Sequence, residues 1–171
     1  GVLMQEGDFE LELIIANDCS PDNSDTIINK IISDNTSGHQ MKYFKHNQNL
    51  GIMPNFYFAL EQCTGNFVAM CEGDDYWIDP FKINRQLQVF KSEADVKLVY
   101  SNVRVFNQKT EKYFEKPIKF TTRENQVAMM LESKYIEFAT TLFERNFLIN
   151  ITNRLKDEMM DKVIGDTRIL L

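Results

Sequence analysis

Four acidic positions carry most of the chemistry that this sequence offers: Asp18, Asp74, Asp75 and Asp166. The densest signal is Glu72-Gly73-Asp74-Asp75, placed directly after the apolar run Asn66-Phe67-Val68-Ala69-Met70-Cys71. Carboxylates crowded at the end of a buried strand repel one another, and nothing nearby in the sequence neutralises them. Hard oxygen donors of this kind suit Mg²⁺ or Mn²⁺, which need few protein ligands when a phosphate completes the shell. A structural role also fits, with Asp74 and Asp75 capping the turn before the next helix, although Asp79-Pro80 already supplies a cap and a first helical proline. At Asn17-Asp18 a carboxylate can accept an N–H from a pyrimidine ring or a ribose hydroxyl, or it can close an Asx-turn into the following helix. Gly165-Asp166, taken alone, reads as a turn plus an N-cap.

The elements that must hold these residues alternate. Leu11 to Ala16 reads as a strand, and Ser24 to Asn35 as a helix with Ile27, Ile28, Ile31 and Ile32 on one stripe and Asp22 or Asn23 as its cap. Met41 to Lys45 is a short strand. A helix with Pro54 in its first turn follows, carries Phe56, Ala59, Leu60 and Cys63, and stops at Gly65 as at a C′ glycine. Asn66 to Cys71 is the next strand. Asp79-Pro80 opens a helix to about Ser92 that buries Ile83, Leu87 and Phe90, and a strand spans Lys97 to Phe106 before a hairpin turn near Gln108-Lys109. Arg123 to Glu132 reads as helix, Phe138 to Phe143 as strand, and Phe147 to Leu155 and Asp166 to Leu171 as helices. Such alternation predicts βαβ units and a largely parallel sheet with helices on both faces. Ligands bind at the carboxyl ends of strands in sheets of this kind, which is where Asp18 and the Glu72–Asp75 cluster fall.

Composition narrows the class. The chain of 171 residues is 43% hydrophobic and 26% charged, with few Gly (7) and Pro (4), so it reads as one globular domain without long linkers. Nineteen basic against 25 acidic residues leave a net charge of −6, which excludes a general nucleic-acid binder and requires a cation or a local basic group for any phosphorylated substrate. The three cysteines, Cys19, Cys63 and Cys71, form no C-x-x-C and point to a reducing compartment. No apolar run is long enough for a transmembrane helix. His39 and His46 lack partner ligands and read as surface or internally satisfied. Met129-Met130 and Met159-Met160 read as packing residues, and Lys116, Lys119 and Arg123 as a solvated basic strip.

Together the motifs resemble the family 2 glycosyltransferases, which have the GT-A fold. The family places an Asp-Asp-x-Ser turn after its second strand, here Asn17-Asp18-Cys19-Ser20-Pro21-Asp22. An Asn-x-Gly segment with an Asn-led helix follows, here Asn49-Leu50-Gly51 and Asn55. Next is a Gly-x-Phe-Val strand ending in the D-x-D-type motif, here Gly65-Asn66-Phe67-Val68 and Glu72-Gly73-Asp74-Asp75-Tyr76-Trp77. The run Glu72 to Pro80 is very similar to a bacterial subgroup of the family. The resemblance implies transfer of a sugar from a nucleoside-diphosphate sugar, a UDP-sugar foremost, to a saccharide or lipid-linked acceptor hydroxyl, as in polysaccharide biosynthesis. Asp18 would contact the nucleotide base, Asp74 the ribose, and Asp75 an Mn²⁺ or Mg²⁺ on the diphosphate. Asp166 would be the general base of a single inverting displacement, which needs no protein nucleophile.

On this reading residues 1–106 form the nucleotide-binding half and residues 107–171 the acceptor-side half of one domain, cytoplasmic or peripheral to a membrane. Two other readings are an inactive transferase-like scaffold and a non-enzymatic α/β phosphoacceptor or binding module. The latter needs a lone Asp after its third strand and a Lys after its fifth, a pair that cannot be placed here. The resemblance also implies a first strand that residues 1–10 do not supply, Gly1 to Gln5 matching instead the last turn of the helix after it. The expectation is a catalytic domain cut at both ends, its sheet either lacking a central strand or taking one from another chain.

Overall fold

A computed structural model describes residues 1–116 and 136–163, with side chains described as far as residue 154. Eleven regular elements follow one another within them: β1 (Glu12–Asn17), α1 (Ser24–Ser33), β2 (Gln40–Lys45), α2 (Ile52–Gln62), β3 (Phe67–Ala69), α3 (Lys82–Ser92), β4 (Leu98–Tyr100), β5 (Val103–Asn107), β6 (Lys112–Lys116), β7 (Thr141–Glu144) and α4 (Arg145–Val163). The expected helix at Arg123–Glu132 and the one at Asp166–Leu171 lie outside the described residues.

The fold is mixed α/β, and its parallel character is confined to part of the sheet. β1 and β2 pair in parallel, from Glu12 opposite Gln40 to Asn17 opposite Lys45. β7 lies between β3 and β4 and is antiparallel to both, so β3 and β4 run parallel to each other on either side of it. β5 and β6 form a separate antiparallel hairpin. The β1–β2 pair and the β3–β7–β4 sheet are not hydrogen-bonded to each other. Leu11 and Asn17 carbonyls accept from Gln40 and His46 N–H groups, so Glu12, Ile14 and Ala16 turn their peptide groups to the opposite, unpaired edge of β1. The Asn66 carbonyl accepts from the Arg145 N–H, which turns Phe67 and Ala69 of β3 to an unpaired edge as well. No strand lies within residues 1–10, whose one regular feature is a 3-10 turn over Val2–Met4.

Packing explains the order. α2 covers β1, α3 covers β4, α1 leans on β2 and α4 on β7. Leu60 of α2, Val68 of β3, Phe143 of β7 and Leu148 of α4 form the main core with Met70 and Ile136, while Trp77, Ile83 and Leu142 form a second core on which Val2 and Phe9 pack. The α1 stripe is only half used. Ile28 and Ile32 turn inward, whereas Ile27 and Ile31 stay 49% and 44% exposed.

Several boundaries differ from the sequence reading, three of them for causes visible in the hydrogen bonding. α2 ends on Cys63 in extended conformation rather than on a left-handed glycine, because the Glu12 carboxylate captures the Thr64 and Gly65 N–H groups and pulls the chain straight out of the helix. The strand expected over Lys97–Phe106 is two strands. After Tyr100 the chain leaves the sheet, with the Ser101 N–H still bound to the Thr140 carbonyl, and β5 starts the hairpin. Phe138–Thr140 is a 3-10 turn before β7, closed by the Thr140 and Thr141 hydroxyls on the Glu137 and Phe138 carbonyls.

Candidate active site

The end of β1 is a clamp built from three segments. Asp18 follows the last strand residue, and its two carboxylate oxygens accept the Leu50 N–H at 2.7 Å and the Gly51 N–H at 2.9 Å. The Asn49 amide donates to the Asp18 carbonyl at 3.2 Å. Gly51 is the N-cap residue of α2 and has φ +90°, a left-handed conformation that a Cβ would strain. Asn55, one turn into α2 and buried, donates to the Ala16 carbonyl at 3.1 Å on the free edge of β1 and meets His46 Nε2 at 3.0 Å. His46 is thus internally satisfied. Asn17 is buried too. Its side-chain amide oxygen accepts the Ser20 N–H at 2.9 Å, closing an Asx-turn, and its side-chain NH₂ donates to the Tyr43 hydroxyl at 2.9 Å. An aspartate here would have no N–H to give Tyr43, which explains the amide at this position. The Tyr43 hydroxyl in turn donates to Asp25 at 2.8 Å.

The end of β3 is the opposite kind of site. The chain turns over Gly73 and Asp74, with the Asp75 N–H bound to the Glu72 carbonyl at 3.1 Å. Asp74 and Asp75 are exposed, and among the described residues no lysine or arginine pairs with either. Glu72 is half-buried behind them. Burial first, then a hydrogen bond and charge from Asp75, and then the charges of Asp74 and Glu137, push its carboxyl up to about 8. Beneath the turn Trp77 is buried, its indole N–H donating to the Ala139 carbonyl at 2.8 Å. The Lys82 ammonium stands 4.3 Å from the Trp77 ring centre and donates to Gln86 at 3.0 Å. Burial lowers that lysine to about 8. Gln5 ties the N-terminal segment to this turn, donating to the Asp79 carbonyl at 2.8 Å and accepting the Ile83 N–H at 3.0 Å. Asp79 is not the cap of α3: its carboxylate accepts the Phe81 N–H at 2.9 Å in the turn before the helix, Phe81 is the N-cap residue without a side-chain cap, and α3 begins at Lys82.

The structure therefore joins Asp18 to Asn49-Leu50-Gly51 and Asn55, and Asp74 and Asp75 to Glu72, each group beyond the carboxyl end of a strand. No hydrogen bond links Asp18 to Asp74 or Asp75. Asp166 lies outside the described residues, as do Lys119 and Arg123, whereas Lys116 pairs with Glu137. Among the described residues no three acidic, histidine or cysteine side chains are grouped as a self-sufficient metal cage. The donor set still fits Mn²⁺ or Mg²⁺ shared with phosphates, which takes one or two carboxylates from the protein. Sequence reading passed over Glu12, Gln5 and Glu137, whose partners lie 52, 78 and 21 residues away and leave no local signal.

The model of Glycosyl transferase family 2 matches residues 1–152. The chain is 28% identical over 145 residues to the uncharacterized proteins Mb1547 of Mycobacterium bovis and Rv1520 of Mycobacterium tuberculosis, a stretch that is 85% of this chain and 41% of each relative. It thus spans about two-fifths of the length of these curated relatives. No helix among the described residues is long and apolar enough to cross a membrane. The match runs from the N-terminal segment under the Glu72–Trp77 turn, through both strand-end sites, into α4, and on that ground the chain belongs to glycosyltransferase family 2, the family of nucleotide-sugar-dependent transferases with the GT-A fold.

Proposed function

We propose that this domain transfers a sugar from a nucleoside-diphosphate sugar to an acceptor hydroxyl by one inverting displacement. The observation that carries the proposal is the Glu72–Asp75 turn: two exposed carboxylates with no cationic partner among the described residues, beyond the end of a strand, in a chain of this family. Asp75 would hold Mn²⁺ or Mg²⁺, with Asp74 on the ribose and Asp18 on the base. A divalent cation bound there supplies neutralisation of the negative charge that grows on the departing diphosphate. Asp18 keeps lone pairs beyond the two that Leu50 and Gly51 occupy, so it can also accept a ring N–H. The acceptor oxygen bonds to the anomeric carbon as the bond from that carbon to the diphosphate breaks, and the hydroxyl proton passes to a carboxylate. Asp166 has that role on the resemblance alone. On the same basis residues 1–106 serve the nucleotide and residues 107–171 the acceptor. The thiols of Cys19, Cys63 and Cys71 are free, which supports a cytoplasmic setting, with the protein either soluble or resting on a membrane that presents a lipid-linked acceptor.

Calorimetry of the full-length protein with UDP, GDP and dTDP, with Mn²⁺ or with EDTA, tests the reading. Binding of one nucleotide that disappears in EDTA is the expected result. Binding indifferent to the metal would remove Asp75 as its holder, and no binding of any nucleotide would favour a transferase-like scaffold.

A further inference from the structure

The β5–β6 hairpin projects from the body, and one of its faces is aromatic next to the carboxylate turn. Phe106 and Tyr113 are register partners with ring centres 4.8 Å apart and planes inclined by 42°. Tyr76, the residue after Asp75, brings its hydroxyl to 3.3 Å from that of Tyr113. Tyr76, Tyr113 and Phe106 are 64%, 59% and 45% exposed, so three large rings share one open surface. The base of the hairpin is fixed by Lys116 on Glu137, and Tyr76, which touches the hairpin, directly follows Asp75 in the chain. The platform therefore begins where the proposed diphosphate site ends.

We propose that Tyr76, Phe106 and Tyr113 form the platform on which a sugar ring of the acceptor saccharide stacks. This rests on reading Asp74 and Asp75 as the donor side of the site. Four observations favour a saccharide. The rings offer flat apolar faces of the size of a pyranose, against which its C–H groups pack. The two phenolic hydroxyls stand at a spacing well beyond the usual 2.7–2.8 Å of an O–H···O bond, so a sugar hydroxyl can bond to both better than they bond to each other. Arg104 and Glu115, register partners on the same face, add polar groups of both signs at its rim. The tip of the hairpin is polar, with Asn107 accepting the Lys109 and Thr110 N–H groups, whereas a membrane-inserting hairpin would carry its apolar residues there.

The test uses the full-length protein on a printed array of neutral hexose and N-acetylhexosamine oligomers and bacterial surface oligosaccharides. Calorimetry with UDP and Mn²⁺, and sedimentation with vesicles of phosphatidylcholine and phosphatidylglycerol, run beside it. In the Phe106→Leu/Tyr113→Leu variant, apolar bulk is kept and ring faces are lost. Saccharide binding should fall at least tenfold while UDP–Mn²⁺ affinity stays within twofold. Tyr76→Phe, which removes one hydroxyl and no ring, should lose about threefold on the array. A parent protein that binds no saccharide, or a leucine variant that binds as well as the parent, overturns the platform. So does vesicle binding by the parent that the leucine variant retains, if saccharide binding is absent. Failure of UDP–Mn²⁺ binding alongside ring-dependent saccharide binding would instead overturn the donor-side reading and leave the platform as a carbohydrate-binding surface.

Discussion

Asp18 and Asp75 each stand just past a strand, yet the chain treats the two carboxylates differently. Asp18 has both oxygens engaged by the Leu50 and Gly51 N–H groups and is knitted to α2. Asp75 is exposed, is hydrogen-bonded to the half-buried Glu72 carboxyl, and among the described residues pairs with no lysine or arginine. A satisfied carboxylate stabilises its own fold, and its removal costs hydrogen bonds. A carboxylate set beside other acids without a cationic partner adds repulsion to the free protein, and its retention makes sense where a cation arrives. Stability and activity should therefore separate between the two strand ends.

The largest effect expected is on activity. Asp75→Ala should lower turnover by about 100-fold or more by removing metal support for the leaving group, while stability stays within about 0.5 kcal/mol. Steady-state kinetics beside thermal melting decide it. A large fall in Tm with ordinary turnover would put Asp75 among structural residues. Asp18→Ala should do the reverse in the melt, losing about 2–3 kcal/mol, or roughly 5–10 °C in Tm, because two charge-accepted hydrogen bonds go. An unchanged Tm would mean that the Asn49–Gly51 turn holds itself.

Glu12 extends the same comparison to the other end of β1. Burial pushes its carboxyl up, but hydrogen bonds from the Thr64 N–H, Lys42, the Gly65 N–H and the Thr64 hydroxyl more than offset this and hold it down at about 2. The folded value lies below the unfolded one, so its contribution is complete above about pH 4.5 and is lost as pH falls toward 2. Glu12→Gln should cost about 1–2 kcal/mol at neutral pH and flatten the acid limb of a Tm-against-pH curve. A parallel acid limb in the variant would refute the assignment.

Lys82 carries the contrast beneath the exposed turn. Burial lowers its ammonium from 10.5 to about 8, so the charge opposes folding below pH 8. The folded protein sheds that proton first, and stability rises between about pH 8 and 10.5. Lys82→Met keeps the stem over Trp77 and should flatten that rise by about 1 kcal/mol, read as the difference between parent and variant melts. A rise of unchanged size would assign it to other groups.

How far the sequence reveals these features depends on how local each cause is. β1, α1, β2 and α2 follow from runs and periodicity within a few residues, and they fall within two or three residues of where the pattern places them. The acidic turn is legible because Glu72 to Trp77 is contiguous. The clamp is half legible: Asp18 and Asn49-Leu50-Gly51 stand out as separate motifs, but their mutual hydrogen bonds span over 30 residues. What stays hidden is pairing at a distance. β7 slots between β3 and β4 from far along the chain and turns an expected parallel sheet antiparallel there. Tyr113 meets Tyr76 across 37 residues, and no spacing rule joins them.

The smallest effect expected concerns the strain that the clamp holds. Two residues flanking it are left-handed, Gly51 at φ +90° and Cys19 at φ +61°. Glycine accepts this freely, whereas a side chain at such φ costs about 1 kcal/mol. Cys19→Gly removes that cost but gives the unfolded chain more freedom, so the net gain should be about 0.5 kcal/mol. The gain has a condition. If the Asp18 carboxylate fixes the turn, its loss lets Cys19 relax toward negative φ, and no strain is left to relieve. In the Asp18→Ala background the same change to glycine should then become destabilising by about 0.5 kcal/mol, a coupling of about 1 kcal/mol in a double-mutant cycle. Equal gains in both backgrounds would show that Asn17 and its Asx-turn hold Cys19 left-handed without the carboxylate. Asp18 would then be structurally closer to Asp75 than its hydrogen bonds suggest.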